Sequence, residues 1–117
     1  MKTNKEMLSS ILKTTQMGQI GIRCVENAAV TVEMEKELAA QRREFDAIET
    51  EAHAIAQQRG WRVRELNPAV RTMSELMAKA QLMDLKCYDI PEYYDDFVIA
   101  ASQSEEMCKK AIMSVAN

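Results

Sequence analysis

One histidine and several glutamates are the residues of this sequence whose types suit metal or acid–base chemistry. His53 is the only histidine, and Glu49 lies four residues before it, so the two side chains share one face if the segment is helical. A ferritin-like di-iron site needs Glu-x-x-His pairs, whereas Thr50 stands three residues before His53. The sequence therefore leaves only a degenerate carboxylate and histidine site as an alternative hypothesis. Its candidate metal ligands are Glu49, His53, Glu26, Glu75 and Glu106.

The three cysteines do not form a pattern that is typical of catalysis or metal binding. Cys24, Cys87 and Cys108 are odd in number and scattered, without a CxxC spacing. This pattern indicates neither a disulfide framework nor a zinc knuckle and favours a reducing cytoplasm. Cys24 and Cys108 fall on or beside apolar stripes, so we interpret them as packing residues. We expect no enzymatic activity and no cofactor.

Two glycines lie inside the stretch TTQMGQIGIRC, which otherwise has the composition of an amphipathic helix. A phosphate-binding glycine loop needs a strand before it and a helix start after it, and neither signal is present. We therefore interpret Gly18 and Gly21 as helix close-packing positions. There the missing Cβ lets a large side chain such as Phe45 or Trp61 approach the backbone.

An arginine cluster surrounds the single tryptophan in RGWRVRELNPAVR. An aromatic ring among arginines can stack bases and contact phosphates. The alternative, which we prefer, is that Trp61 closes one end of the core while the arginines are solvated or paired with glutamates. The acidic stretch EYYDD offers the opposite charge for assembly between copies. The possible interaction patch consists of Arg59, Trp61, Arg62, Arg64 and Arg71.

Composition and net charge narrow the class of protein. The chain has 117 residues, 47% hydrophobic residues and a formal net charge of -3, which suits one folded domain. Binding to nucleic acid or an acidic membrane depends on many excess Lys and Arg residues, so the net charge argues against nucleic acid as a partner. No apolar run reaches the length of a membrane span or of a signal peptide. We predict a cytoplasmic protein without membrane contact.

Helix-capping signals divide the chain into four predicted helices. Thr3 with Glu6 has the form of a capping box, and Thr31 precedes a second acidic start. Gly60 suits a helix end. Asn67 before a proline predicts the third start, and Asp89 before a second proline predicts the fourth. The predicted helices cover roughly 4–28, 32–59, 68–86 and 91–115.

Apolar residues recur in steps of three and four through each predicted helix, which places them on one stripe. We expect all four stripes to form a common core, including the methionines of the third helix. Helices with such stripes and short connections predict an all-α, antiparallel four-helix bundle with an up-down arrangement. The stripes are Leu8, Ile11, Thr15, Gly18, Ile22, Val25 and Ala29; Met34, Leu38, Gln41, Phe45, Ile48, Ala52 and Ile55; Val70, Met73, Met77 and Ala80, with Met83 in step; and Tyr94, Phe97, Ala101, Ser104, Cys108, Ala111 and Val115.

The stretches MLSSILKTTQMGQIGIRCV and LAAQRREFDAIETEAHAIAQQRG resemble the small ferritin-like proteins of Firmicutes, a group similar to the spore-coat F proteins. The shared features are a leucine-rich start, QMG in the first helix, and a second helix that ends in glycine. The resemblance covers residues 4 to about 85 and weakens in YYDDFVIAASQSEEMCKK. It implies a four-helix bundle without established enzymatic activity, and it transfers no functional residues.

These observations lead to a main hypothesis and two alternatives. The main one is a non-enzymatic structural or interaction protein, a homo-oligomer that also accepts protein partners, in a spore or coat context. The first alternative is a ferritin-like metal-binding protein that uses the degenerate site. The second is nucleic-acid binding through the arginine cluster, with affinity that falls steeply as salt rises. A stripe looks the same whether a bundle closes within one chain or between two, so that question stays open.

Overall fold

The computed structural model describes residues 3–28, 31–83 and 90–116, and in these ranges the chain contains four α-helices and no strand. The prediction of an all-α protein with four helices is confirmed. Among the described residues, no helix combines the length and the apolar character needed to cross a membrane. The predicted cap at Asp89, the predicted helix end near residue 86 and the predicted stripe position Ala29 lie outside the described ranges. The helices are α1 (Asn4–Glu26), α2 (Val32–Gln58), α3 (Pro68–Met83) and α4 (Ile90–Ala116).

Side chains satisfy the free backbone groups at the first turns of α1 and α2. The Thr3 hydroxyl accepts the Glu6 N–H at 3.2 Å, and the Glu6 carboxylate accepts the Thr3 N–H at 3.2 Å. This reciprocal pair is the predicted capping box. At α2 the Thr31 hydroxyl accepts the Met34 N–H at 3.1 Å. Both starts are confirmed.

The turn between α2 and α3 is made by residues that the sequence singles out. Gly60 has φ +66°, a left-handed conformation that costs glycine little. The Gly60 N–H donates to the Gln57 carbonyl at 3.2 Å, and the Trp61 N–H donates to the Ala56 carbonyl at 2.8 Å, which together form a Schellman motif. At the start of α3 the Asn67 side chain accepts the Ala69 N–H at 2.8 Å. The predicted end of α2 and start of α3 are therefore confirmed.

Helices α1 and α2 pack antiparallel along most of their length. Gln19 near the middle of α1 donates to Asp46 at 2.9 Å, and Arg42, earlier in α2, donates to Glu26 at the end of α1 at 3.0 Å. The contact positions thus run in opposite directions along the two helices. This pair provides the base on which the other helices pack.

Helix α4 completes the core by packing on both α1 and α2. Tyr94 donates to Glu37, and Gln41 donates to Ser102 at 2.9 Å, so α2 and α4 run in the same direction. On the other side, the Thr15 hydroxyl of α1 approaches Cys108 Sγ at 3.9 Å. The predicted stripes of α1, α2 and α4 form this core, and they are confirmed for the described residues. The buried hydrophobic cluster includes Leu8, Ile11, Ile22, Val25, Leu38, Phe45, Ile48, Ala52, Ile55, Tyr94, Ala101, Cys108, Ile112 and Val115.

Helix α3 packs in a different way from the other three. Among the helices it contacts α1 alone within the described residues, and none of its side chains is buried. The prediction that its stripe belongs to a common core is therefore wrong. Val70, Met73, Met77 and Met83 are all exposed, as is Ala80. The core is built from three helices, and α3 lies outside it on α1.

Candidate interaction surface

The face of α3 that meets α1 is narrow and partly polar. Ser74 Oγ donates to the sulfur of Met17 at 3.5 Å, and Arg23 forms an ion pair with Glu75 at 3.2 Å. Further along, α3 also lines a shallow cleft beside Cys24. The half-buried residues of α3 are Ser74, Glu75, Ala78 and Leu82. The contact with α1 therefore uses Ser74, Glu75 and Ala78 with one larger apolar side chain, Leu82, and leaves most of the apolar stripe of α3 outside it.

Most of the apolar stripe of α3 points away from the protein, and Met83 at its end also lines the cleft beside Cys24. Its large members have relative exposures between 48% and 84%. Their spacing of three and four residues places them side by side on the helix surface, as in a helix that faces a core. We call this stripe the outer face of α3. It comprises Val70, Met73, Leu76, Met77, Ala80 and Met83.

Sequence reasoning missed the exposure of the outer face for a definable reason. A period of three to four residues shows that a helix has an apolar side, but it does not show which partner covers that side. The one available signal was that Ser74 and Glu75, on the opposite side of α3, are types that suit contact with Arg23 and Met17 of α1. That signal is weak, because such residues are equally common on solvated helix faces.

Both glycines of α1 lie directly beneath an aromatic ring. A Cβ on Gly18 would stand 2.9 Å from Phe45 Cζ, and a Cβ on Gly21 would stand 3.0 Å from Phe97 Cε2. The structure thus places Phe45 of α2 where a close approach was expected. The neighbour of Gly21 is Phe97, which sequence reasoning did not pair with it, and Trp61 is not among the atoms that approach either glycine most closely. These contacts fix α2 and α4 against α1.

The arginine patch divides into two parts. Arg59 lies over the ring of Trp61, 5.0 Å from its centroid, and also donates to the Ala116 carbonyl at 3.2 Å. Trp61 is half-buried against the core cluster, in agreement with a role in closing one end. Arg62 and Arg64 line a different region, beside the start of α1. Arg59 and Trp61 therefore stabilise the bundle end, whereas Arg62, Arg64 and Arg71 line clefts that neither of them reaches.

The five candidate metal ligands are engaged by other protein groups. Within the described ranges, no group of three His, Cys, Asp or Glu side chains is placed to hold a metal ion. The metal-binding hypothesis requires these five residues to lie together. The structure does not bring them together. Their partners are Arg42 for Glu26, Gln16 for Glu49, Glu65 for His53, Arg23 for Glu75 and Lys110 for Glu106.

Gln16 is a buried polar residue that the sequence analysis did not single out. Its amide Nε2 donates to Glu49 and to Glu65, each at 3.3 Å, and its Oε1 accepts the Leu66 N–H at 2.7 Å. Glu65 also accepts a contact from His53 Nε2 at 2.5 Å. This cluster ties the connection between α2 and α3 to the core. It therefore determines where α3 begins along α1.

Two of the three cysteines are buried thiols. Cys24 and Cys108 each have a relative exposure of 4%. Burial is the main cause that raises the pKa of both thiols, so they stay protonated and are poor nucleophiles. This supports their interpretation as packing residues. Cys87 lies outside the described residues.

The comparisons with known proteins found no counterpart for this arrangement. No protein-family profile, curated protein or solved structure matches the chain. We therefore infer the function from the geometry of the chain itself.

Proposed function

We propose that this protein is a non-enzymatic helical interaction protein that self-associates through the outer face of α3. The observation that carries the proposal is that α3 has the apolar pattern of a core-facing helix while five of its large apolar side chains are about half-exposed or more. Contiguous apolar patches of this kind mark interaction sites in soluble proteins. The resemblance to small ferritin-like proteins agrees with this proposal, since it implies no enzymatic activity.

A second copy of the chain is the partner that we propose for the outer face. The stripe itself carries no charged residue, so two copies related by a twofold axis bring apolar side chains together without like charges in contact. A twofold interface needs one self-complementary surface, and a straight helix with an apolar stripe supplies it.

Methionine supports the same assignment. Met73, Met77 and Met83 form half of the outer face. Their unbranched side chains adapt to an opposing surface and bury large apolar area on contact. Burial at the interface contributes roughly 25 cal/mol per Å² of apolar area removed from water, from which the entropy of association is subtracted. The interface is therefore expected to be stable only above a threshold of protein concentration.

Sedimentation velocity over a range of protein concentrations tests the proposal. The wild type is compared with Met73→Glu/Met77→Glu, which places two charges on the outer face. The matched control is Met107→Glu/Met113→Glu, because these two methionines are at least as exposed as Met73 and Met77 but lie on α4. Circular dichroism on each variant checks that the helices form.

We expect the wild type and the α4 variant to associate as concentration rises and the α3 variant to stay monomeric. The proposal is rejected if the α3 variant associates like the wild type, or if the wild type stays monomeric at every concentration. Loss of association in the α4 variant alone would move the interface to α4.

A further inference from the structure

Two adjoining clefts on one side of the protein collect five basic side chains. The first has a volume of about 510 Å³ and the second of about 680 Å³. Lys13 of α1 and Arg64 of the connection between α2 and α3 line both clefts, so the clefts share one wall. The other cations are Lys5 and Arg62 in the first cleft and Arg71 in the second.

The charge of this region differs from that of the whole chain. In the described part of the molecule none of these five cations forms an ion pair, whereas Arg23, Arg42, Lys109 and Lys110 each pair with a glutamate. The clefts therefore hold a locally positive field on a protein of net charge -3.

The two acidic residues that line the clefts are already engaged. The Glu6 carboxylate accepts the backbone N–H of Thr3, and Glu65 binds Gln16 and His53. Within the described residues, neither carboxylate forms an ion pair with any of the five cations. The basic groups remain available to an anion from solution.

We propose that the paired clefts bind a compact anion that carries at least two phosphate groups. Lys13 and Arg64 would contact the ligand at the shared wall, with Arg62 on one side and Arg71 on the other. Guanidinium groups suit phosphate because they donate two parallel hydrogen bonds to its oxygens. Each cleft falls in the size range of small-ligand sites, roughly 300 to 1,000 Å³.

A small polyphosphate fits these observations better than nucleic acid. The ring of Trp61 lies under Arg59 and lines neither cleft, so the aromatic platform on which bases stack is absent from the lining. A long polyanion would also extend past the clefts and meet the field of a chain whose net charge is negative. A compact anion experiences only the local cations.

Isothermal titration calorimetry at low salt with inorganic tripolyphosphate and orthophosphate tests this inference. The test variant is Lys13→Gln/Arg64→Gln, which removes the two shared cations. The side chain of Arg64 can be changed without loss of the local fold, since the bond to Ser9 uses its backbone N–H. The control is Lys36→Gln/Arg43→Gln, which removes two exposed cations of α2 that line neither cleft. Thermal melting confirms that both variants fold.

We expect wild type and control to bind tripolyphosphate with equal affinity and the test variant to bind at least about tenfold more weakly, the effect of losing charge-assisted hydrogen bonds. Orthophosphate, which reaches one cleft only, should bind at least about tenfold more weakly than tripolyphosphate. Absence of tripolyphosphate binding, or an equal loss in the control, overturns the inference. A short single-stranded oligonucleotide that binds more tightly than tripolyphosphate and depends on Lys13 and Arg64 overturns it in favour of nucleic acid.

Discussion

Helix α3, which within the described ranges packs on no helix other than α1, carries the same kind of apolar pattern as the three core helices α1, α2 and α4. The stripe residues of the core helices are largely buried, whereas those of α3 are exposed. In the core, residues such as Leu38 and Phe45 are completely buried. In α3, the residues at equivalent spacing, such as Met73 and Met77, have relative exposures of 59%. The difference shows that an apolar stripe does not by itself determine whether the rest of the fold buries it.

The physical reason for the difference is that different sides of α1 contact different elements. Its apolar side is filled by α2 and α4, including the rings of Phe45 and Phe97 against the two glycines. The connection that follows α2 is held on another side of α1 through Gln16, which bonds the Leu66 N–H. Helix α3 therefore starts where α1 offers Met17 and Arg23. Its polar side meets them, and its apolar side faces outward.

The largest expected effect is in the core at Phe45. Phe45→Ala removes a ring of 0% exposure that packs on Gly18. We expect the free energy of unfolding to fall by about 3 to 5 kcal/mol, because the cavity cannot collapse completely. Met77→Ala on α3, measured in dilute monomer, should change the free energy of unfolding by about 0.5 kcal/mol or less. Chemical denaturation measures both, and equal losses would contradict the division into core and outer helix.

The two glycines of α1 differ in how easily the neighbouring aromatic ring can move. Gly18→Ala forces its Cβ against three atoms of the fully buried Phe45 ring, at 2.9 to 3.2 Å. Overpacking exceeds the gain in helix propensity, so we expect a loss of about 1 to 2 kcal/mol. Gly21→Ala meets two atoms of the half-buried Phe97 ring, which can move, and should stay within about 0.5 kcal/mol of the wild type.

The comparison of the glycines has its own control in the double variant Gly18→Ala/Phe45→Leu. Leucine lacks the ring atoms that crowd the new Cβ, so the two changes should cost less together than the sum of their separate costs. Strict additivity, or greater damage at Gly21 than at Gly18, would contradict the close-packing account of the α1 and α2 contact.

A smaller effect is expected at Tyr94, where α4 meets α2. Burial and the hydrogen bond to Glu37 raise the pKa of Tyr94 well above its ordinary value of 10.0. Above about pH 10 the unfolded chain releases this proton while the folded chain keeps it, so the free energy of unfolding falls as pH rises. Tyr94→Phe should cost about 1 kcal/mol at pH 7 through the lost hydrogen bond.

The pH dependence of denaturation checks this assignment. Above pH 10, the free energy of unfolding should decline less steeply with pH in Tyr94→Phe than in the wild type. The buried thiols Cys24 and Cys108, whose pKa values are also raised, contribute to the remaining decline from about pH 9 upward. An unchanged slope in Tyr94→Phe would show that the hydroxyl is not protected in the folded protein.

The smallest expected effect is at His53. Its side chain and that of Glu65 are about half-exposed, at 47% and 50%, so their pair contributes little. His53→Ala should lower the free energy of unfolding by about 0.5 kcal/mol or less. Native mass spectrometry with added ferrous iron provides the second readout. Stoichiometric iron that binds the wild type and disappears in His53→Ala would restore the metal-binding hypothesis.

The helices could be predicted from the sequence more completely than the way in which they pack. Capping residues such as Thr3, Thr31 and Asn67 act within one turn, and their positions were therefore predictable. The contact of Gly18 with a large ring was also readable, because a glycine on an apolar stripe requires a close neighbour. The pairing of Gly21 with Phe97 and the role of Gln16 depend on distances between helices that no local pattern encodes.

The most direct test of self-association through the outer face of α3 observes the exposed methionines of α3 and α4 in the same spectrum. Methyl spectra of protein labelled with ¹³C at methionine are recorded at low and high protein concentration, with single Met→Leu variants for assignment. We predict that the signals of Met73, Met77 and Met83 shift or broaden as concentration rises, while those of Met107 and Met113 stay unchanged. Signals of Met73, Met77 and Met83 that do not change, or changes confined to Met107 and Met113, would contradict the claim that the outer face of α3 is where copies meet.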